Sequence, residues 1–275
     1  MFDTHCHLNF AVFKNQEREI INRASKAGIN YFLVPGSNMT TSQKALQLAK
    51  KYKNVFAAIG IHPHHAQSKI DLEKLEDLIK KTKTTAVGEI GLDYHQYQNT
   101  KYENYQINGQ FKKNQQALFI KQIKLAQKYQ KPIIFHNREA KEDMLAIIKK
   151  HWHKGFEGRA VFHCCEPDEE LLTFAQKHQI FIGVDGDITY WNKKARFIKT
   201  VPLEMLVLET DSPYLTPEPI KKEKPFPNEP RNLKYIAEFA AKIKNLPLRT
   251  IAKQTTTNAK QIFSPLHLPV STLKV

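Results

Sequence analysis

A regular alternation of short apolar segments with longer segments of helical period is the feature that most constrains the fold of this chain. The apolar segments are rich in β-branched and aromatic residues, which indicates strands, and strands that alternate with helices form a parallel sheet. Eight such segments lie at 2–7, 31–36, 55–61, 85–91, 132–136, 160–164, 180–184 and 205–210. Helical periodicity is found at 16–27, 42–51, 72–81, 115–129, 139–150, 169–178, 193–199, 233–244 and 248–263.

Eight strand–helix units predict an α/β fold of the closed (β/α)8, or TIM-barrel, type. The chain has 275 residues, close to the ~250 that are typical of one such barrel, so we expect a single domain over 1–275. An open, doubly wound sheet is the alternative, but no glycine-rich dinucleotide-binding turn follows the first strand. A TIM barrel builds its active site at the carboxyl ends of the strands.

Two connections at that end are long. Segment 94–113 follows the fourth strand and contains four tyrosines, and segment 212–232 follows the eighth strand and contains six prolines and four basic residues. Long loops at the carboxyl end of a barrel are often lids or substrate-binding loops.

The charge balance is basic, with 42 Lys and Arg against 27 Asp and Glu, a net charge of +15. This surplus favours a polyanionic partner, nucleic acid first, although a self-repelling surface from a Lys-rich proteome is the alternative.

No apolar run reaches the ~18 residues that span a bilayer, and no secretory signal is recognisable, so we expect no membrane association. Three cysteines do not suggest a disulfide framework and fit the cytoplasm. The sequence does not determine the oligomeric state, and a monomer is compatible with it.

Ionisable side chains stand at the ends of several predicted strands, where a packed core would have apolar ones. His5 and His7 share one face of the first strand because their spacing is two. A lone His-x-His is weak evidence, but the pattern continues at the ends of four further strands. These further residues are Glu89, His136, His163 and Asp211.

Four histidines and two carboxylates are more ligands than one tetrahedral zinc ion takes. They suit two divalent ions at a separation of ~3.5–4 Å. Zinc, manganese and magnesium all stay open as the metal, although histidine argues against magnesium alone.

The chain resembles the TatD family of metal-dependent deoxyribonucleases, within the amidohydrolase-like barrels. The resemblance is carried by DTHCHL at 3–8, GIHPHHA at 60–66, AVGEIGLDY at 86–94, IFHNREA at 134–140, VFHC at 161–164 and ETDSPYLTPEP at 209–219. It covers the chain from end to end in the family's order. The chain departs from the family after VFHC, where Cys165, Glu166 and Pro167 follow, and near the seventh strand, where GVDGDITY adds Asp185 and Asp187.

The resemblance implies a role for each of the six residues at the strand ends. His5 and His7 would hold one ion with Asp211, His136 and His163 would hold the second, and Glu89 would bridge the two. Asp211 would also orient the reacting water and take its proton, so Asp211 and Glu89 are the expected catalytic residues.

Four further residues are candidates for substrate binding. His62 and His64 could contact a phosphate or the leaving group, or could form a polar rim with no chemical task. Arg138 could grip a phosphate, or could pair with the neighbouring Glu139 or Glu142. Tyr94 could stack on a base or bond a phosphate.

The sequence therefore predicts a metal-dependent hydrolase of ester bonds, and the family resemblance implies a 3′–5′ exonuclease acting on single-stranded DNA. A hydrolase of another ester or amide on the same core, such as a D-aminoacyl-tRNA deacylase, is the alternative. The third hypothesis is a non-catalytic barrel that binds nucleic acid. Such a protein would lack some of the six metal-binding residues, whereas all six are present in this sequence.

Overall fold

A computed structural model describes residues 1–98, 100, 102–223 and 226–263 of the chain. Its strands form one parallel sheet in which each strand pairs with the next in sequence, from β1 to β8. The strands are β1 (Phe2–Asp3), β2 (Tyr31–Pro35), β3 (Val55–Ile59), β4 (Thr84–Asp93), β5 (Ile133–Arg138), β6 (Ala160–Phe162), β7 (Ile180–Val184) and β8 (Leu206–Leu208).

The sheet closes on itself where β8 meets β1. The backbone N–H of Thr4 donates to Leu208 O at 3.0 Å, that of Asp211 donates to His5 O at 2.9 Å, and that of His7 donates to Ser212 O. The TIM-barrel prediction is therefore confirmed over the open-sheet alternative. The single-domain prediction over 1–275 stays a prediction, since residues 264–275 lie outside the described residues.

The helices of the described residues follow the strands in turn. They are α1 (Glu17–Lys26), α2 (Met39–Lys51), α3 (Leu72–Ile79), α4 (Gly109–Lys128), α5 (Lys141–His151), α6 (Glu169–His178), α7 (Asn192–Thr200), α8 (Ile220–Glu223), α9 (Leu233–Lys244) and α10 (Leu248–Phe263). None of the described helices combines the length and the apolar character that crossing a membrane requires.

The predicted bounds are wrong at several strand ends. The regular part of β1 stops at Asp3, because the Asp3 carboxylate accepts from the N–H groups of His5 and Thr210 and so replaces ladder bonds. β6 and β8 are likewise shorter than predicted. β4 and β5 are longer, and they stay paired as far as Asp93 and Arg138.

The predicted loop over 94–113 is also too long, because α4 begins at Gly109. The side chain of Asn108 accepts from Phe111 N at 2.9 Å and caps the helix, which satisfies one of its free N–H groups. The apolar period over the first turn of α4 is too weak to reveal this start. Residues 99, 101, 224 and 225 of the two long segments lie outside the described residues.

Apolar side chains from every strand fill the amino end of the barrel interior. Phe263, Ile262 and Ala259 of α10 pack against this layer and cover that end of the barrel. The layer consists of Phe2, Leu33, Ala58, Ala86, Ile134, Val161, Phe181 and Val207. With the amino end closed, the carboxyl end is the end at which polar groups can be reached from solvent.

A buried ion-pair cluster fastens the end of β7 to α7. The ammonium of Lys194 lies 2.9 Å from the carboxylates of both Asp185 and Asp187, and 3.6 Å from the thiol of Cys164. Lys194 and Asp185 are fully buried. Because the ammonium already supplies the positive charge between the two acids, we interpret this group as structural and not as a metal site.

Replacing Lys194 with Met should lower the free energy of unfolding by about 3–5 kcal/mol, because it leaves two buried carboxylates without a counter-charge. Urea unfolding followed by circular dichroism measures the change. Lys193→Met is the matched control at the exposed neighbouring position and should stay within about 0.5 kcal/mol of the unmodified protein. Equal effects of the two substitutions would contradict the assignment.

Candidate metal centre

The six ionisable residues predicted at the strand ends meet at the centre of the carboxyl end of the barrel. His5 and His7 follow β1, and Glu89 lies within β4. His136 lies on β5, His163 directly follows β6, and Asp211 lies three residues beyond the end of β8. All six side chains are buried or nearly so, with 15 % exposure at most, for Asp211 and His136.

The distances between their polar atoms are short. His5 Nε2 lies 3.3 Å from His7 Nε2 and 3.5 Å from Glu89 Oε2. Asp211 Oδ1 lies 3.4 Å from His7 Nε2. On the other side of Glu89, Oε2 lies 3.7 Å from His136 Nδ1 and 3.8 Å from His163 Nε2. One glutamate thus stands between two groups of histidines.

This donor set fits bound cations. The rings of His5 and His163 stack 3.4 Å apart, so nitrogen atoms converge in a buried space with two carboxylates and no Lys or Arg among the six. Burial, with further contributions from His163 and His7, lowers the pKa of His5 well below its usual value. His5 is therefore a neutral imidazole near pH 7, which is the form that binds a metal.

Glu209 holds His163 in place. Its Oε1 lies 2.9 Å from His163 Nδ1 and also accepts from the N–H of Cys164. Burial lowers the pKa of His163, but the carboxylates of Glu209, Asp211 and Glu89 together outweigh burial and raise this pKa to about 10, so the centre favours a positive charge. The bond from Nδ1 to Glu209 turns Nε2 toward Glu89 and the centre, which is the orientation that a carboxylate–histidine–metal group has.

Space for Glu209 comes from Gly183 on β7. A Cβ atom at Gly183 would lie 2.3 Å from Glu209 Oε1, so any other residue would push the carboxylate away from His163. This glycine is therefore part of the support of the site.

Asp93 holds His136 in the same way. Its Oδ2 lies 3.1 Å from His136 Nε2, 3.0 Å from His64 Nε2, and accepts from the Tyr97 hydroxyl at 2.8 Å. Burial raises the pKa of Asp93, but its bonds with His136 and His64 outweigh burial and hold it well below the usual range. The ionised carboxylate fixes His136 with Nδ1 turned toward Glu89. Gln115 of α4 clamps the Asp93 backbone with bonds to both its N–H and its carbonyl, each of 2.8 Å.

Three of the four predicted substrate-binding residues lie at the rim of the cluster. The ring of His62 lies 4.3 Å from that of His136, and the ring of His64 lies 4.0 Å from that of Tyr102. Arg138 is exposed and donates to the Tyr97 hydroxyl at 3.2 Å. Its bond to Tyr97 replaces the pairing with Glu139 or Glu142 that was the alternative.

The structure does not bring Tyr94 to the site, so this prediction is corrected. The Tyr94 hydroxyl donates to Asp143 at 2.8 Å and accepts from Gln116, and Lys112 lies over its ring. Because β4 extends to Asp93, strand alternation turns Asp93 inward and Tyr94 outward against α4 and α5. Tyr97 and Tyr102 of the same segment do reach the rim.

Sequence reasoning missed the two supporting acids, Glu209 and Asp93. A signal for each was present, since Glu209 precedes Asp211 by two and shares its strand face, and Asp93 stands at the end of an apolar strand. Asp185 and Asp187, the two acids added near the seventh strand, form a turn in which the Asp185 carboxylate accepts from Asp187 N at 3.1 Å, and both belong to the ion-pair cluster around Lys194.

The barrel and its cluster of histidines and carboxylates define a metal-dependent hydrolase. The family model described as "TatD related DNase" matches residues 2–264 of the chain, and the chain belongs to this TatD family. A metal-dependent hydrolase of Bacillus subtilis, YabD, is 34% identical and is aligned over 96% of this chain and 98% of its own length.

Two further relatives bear on the site. A protein of Edwardsiella piscicida named "3'-5' ssDNA/RNA exonuclease TatD" is 33% identical, over 96% of this chain and 99% of its own. The crystal structure of the TatD homologue YJJV of Escherichia coli superposes with a TM-score of 0.83 at 27% identity, over 96% and 98% of the two chains.

Glu209→Gln should lower metal affinity by roughly 10–100-fold, because the neutral amide holds the Nδ1 proton of His163 less firmly. Titration of the metal-free protein with Mn²⁺ or Zn²⁺ against a competing chelator measures this affinity. Glu169→Gln, at an exposed position of α6, is the matched control. An unchanged affinity in Glu209→Gln would show that the carboxylate does not support the centre.

Proposed function

We propose that the protein removes nucleotides from the 3′ end of single-stranded nucleic acid, with DNA as the expected substrate. The observation that carries the proposal is the arrangement of four histidines and Asp211 around Glu89, at distances of 3.3–3.8 Å between neighbouring polar atoms. Such a site suits the hydrolysis of phosphate esters with two cations. The name of the Edwardsiella piscicida relative supports the same activity.

In this proposal His5, His7 and Asp211 would hold one divalent cation, His136 and His163 would hold a second, and Glu89 would bridge them. Bound zinc, manganese or magnesium would supply Lewis acidity toward the phosphate and lower the pKa of the attacking water. The mixed nitrogen and oxygen donors favour zinc or manganese over magnesium alone.

The chain's own groups position the reacting atoms. The carboxylate of Asp211, next to His7 and open to solvent on one side, orients the water and takes its proton. Arg138 and His64, at the rim of the centre, bind the phosphate. Arg138 suits this task because its guanidinium is held by Tyr97 and remains exposed.

The substrate class is supported by charge. The net charge of +15 attracts a polyanion to the protein. The few acids of the site would be engaged in binding the metal ions. We also place the enzyme in the cytoplasm by this proposal, since Cys6, Cys164 and Cys165 are free thiols, as in a reducing compartment.

Asp211→Ala should lower the rate of 3′-end shortening by about 10²–10⁴-fold, because a general base contributes that much. The assay uses single-stranded DNA labelled at either end, with each metal in turn and with a chelator. Asp77→Ala, at an exposed position of α3, is the control and should retain full activity.

Two outcomes would contradict this proposal. Shortening that starts at the 5′ end would reverse the polarity. No cleavage of DNA or RNA by metal-loaded protein, together with release of the amino acid from D-aminoacyl-tRNA, would assign the same centre to deacylation.

Arg138→Gln should weaken binding of single-stranded DNA equally for all sequences and reduce the slope of log K against log salt by about 1, because one phosphate contact is lost. Fluorescence anisotropy at several salt concentrations measures the slope. Arg249→Gln, exposed on α10, is the matched control. An unchanged slope would remove Arg138 from the phosphate site.

A further inference from the structure

Three aromatic side chains lie beside the metal centre, on the side where β8 meets β1. The ring of Phe10 stacks on that of His7, with centroids 4.1 Å apart and planes 18° apart. The ring of Tyr214 lies 6.3 Å from Phe10 and 6.5 Å from His7, and that of Phe226 lies 6.4 Å from Tyr214. We call Phe10, Tyr214 and Phe226 the aromatic platform.

The platform is open to solvent. Tyr214 is 49% exposed and Phe226 is 52% exposed, the two highest values among the large apolar side chains of the described residues. A half-exposed ring gains only part of the stabilisation that burial would give it. Packing of the barrel therefore does not account for these two rings at the mouth of the site.

The platform is also held in place. Tyr214 N donates to Asp211 O at 2.9 Å. The side chain of Asn228, which is fully buried, donates to Thr210 O at 3.0 Å and to Tyr214 O at 2.8 Å. These bonds tie the loop that bears Tyr214 and Phe226 to the end of β8. A ring fixed beside a binding site loses little conformational freedom when it meets a ligand.

We propose that the aromatic platform binds the base of the terminal nucleotide of the strand by stacking. The inference rests on the proposed nuclease function, because it takes the phosphate of that nucleotide to lie at the metal centre. A base and its phosphate are separated by one sugar, and the platform begins at His7 itself. Stacking on aromatic rings accepts every base, since each base has a π face, so the platform would position the strand end without selecting its sequence.

The side of the mouth opposite the platform is polar. β5 lies across the barrel from β1, and its end carries Arg138, whose guanidinium carbon lies 5.1 Å from the centroid of Tyr97. A nucleotide between the two sides would have its base on the rings and its charged backbone toward the guanidinium. The apolar and the charged parts of a nucleotide thus each meet a surface of matching chemistry.

The test uses holoenzyme loaded with Mn²⁺ and a single-stranded DNA octamer whose 3′-terminal base is the fluorescent analogue 2-aminopurine. Stacking on a ring quenches this fluorophore, and release of the terminal nucleotide restores its emission. Stopped-flow fluorescence should therefore show a fall followed by a rise. An octamer with 2-aminopurine at its fifth position is the control, and its first turnover should lack the fall.

Tyr214→Ala should abolish the initial fall and raise KM by on the order of tenfold, with kcat changed far less. Tyr214→Phe should retain both the fall and the KM, because the ring is kept. An octamer with an abasic 3′ end is the matched substrate control, since Tyr214→Ala should not change its KM. Tyr235→Ala on α9 controls for loss of an aromatic residue elsewhere, and thermal unfolding confirms that each variant folds.

The stopped-flow trace distinguishes the two proposals. A rise without a preceding fall would overturn the platform and leave the nuclease standing. A fall without a rise would show that the base stacks on a strand that is not cut, which would overturn the nuclease and, with it, the placement of the terminal phosphate at the metal centre. A flat trace would overturn both, and an equal KM increase on the abasic octamer would overturn the platform even where the fall is seen.

Discussion

The concentration of nitrogen and oxygen atoms of six ionisable side chains at the centre of the barrel is the constraint on which the rest of the structure depends. Four imidazoles and two carboxylates approach within 3.3–3.8 Å of their neighbours in a space that solvent barely reaches. Burying such groups is unfavourable unless each finds a partner. A bound metal ion would provide that partner, and the closed barrel wall holds the groups close to one another.

A second set of residues in the barrel wall orients the histidines of the centre. Glu209 and Asp93 each fix one histidine by holding the proton on the nitrogen that faces away from the centre. Gly183 leaves room for one of these acids, and Gln115 holds the backbone of the other. Asp93 ends β4 and Glu209 directly follows β8, so the orientation of these two histidines is set by the strands and does not depend on the long loops.

The fold and the six central residues could be predicted from the sequence because both follow from periodicity. Alternation of strand and helix indicates the barrel. An ionisable residue at the carboxyl end of an apolar strand then lies at the mouth of that barrel. The supporting contacts could not be predicted in this way. Whether Glu209 meets His163 depends on the register of β6, β7 and β8 and on the space above Gly183, which no single segment encodes.

Tyr94 shows how a small error in a strand end misplaces a side chain. Ending the fourth strand at residue 91 leaves Tyr94 in a loop, free to be assigned to the mouth. Extending the strand by two residues, to Asp93, fixes the alternation and sends Tyr94 outward to Asp143. Side chains alternate with a period of two along a strand. A residue can therefore be assigned to the rim only as accurately as the end of the strand before it is known. Two tyrosines that do line the rim, Tyr97 and Tyr214, come from loops whose paths are set by tertiary contacts. The chemistry of the mouth therefore depends on the folded barrel more than on any motif.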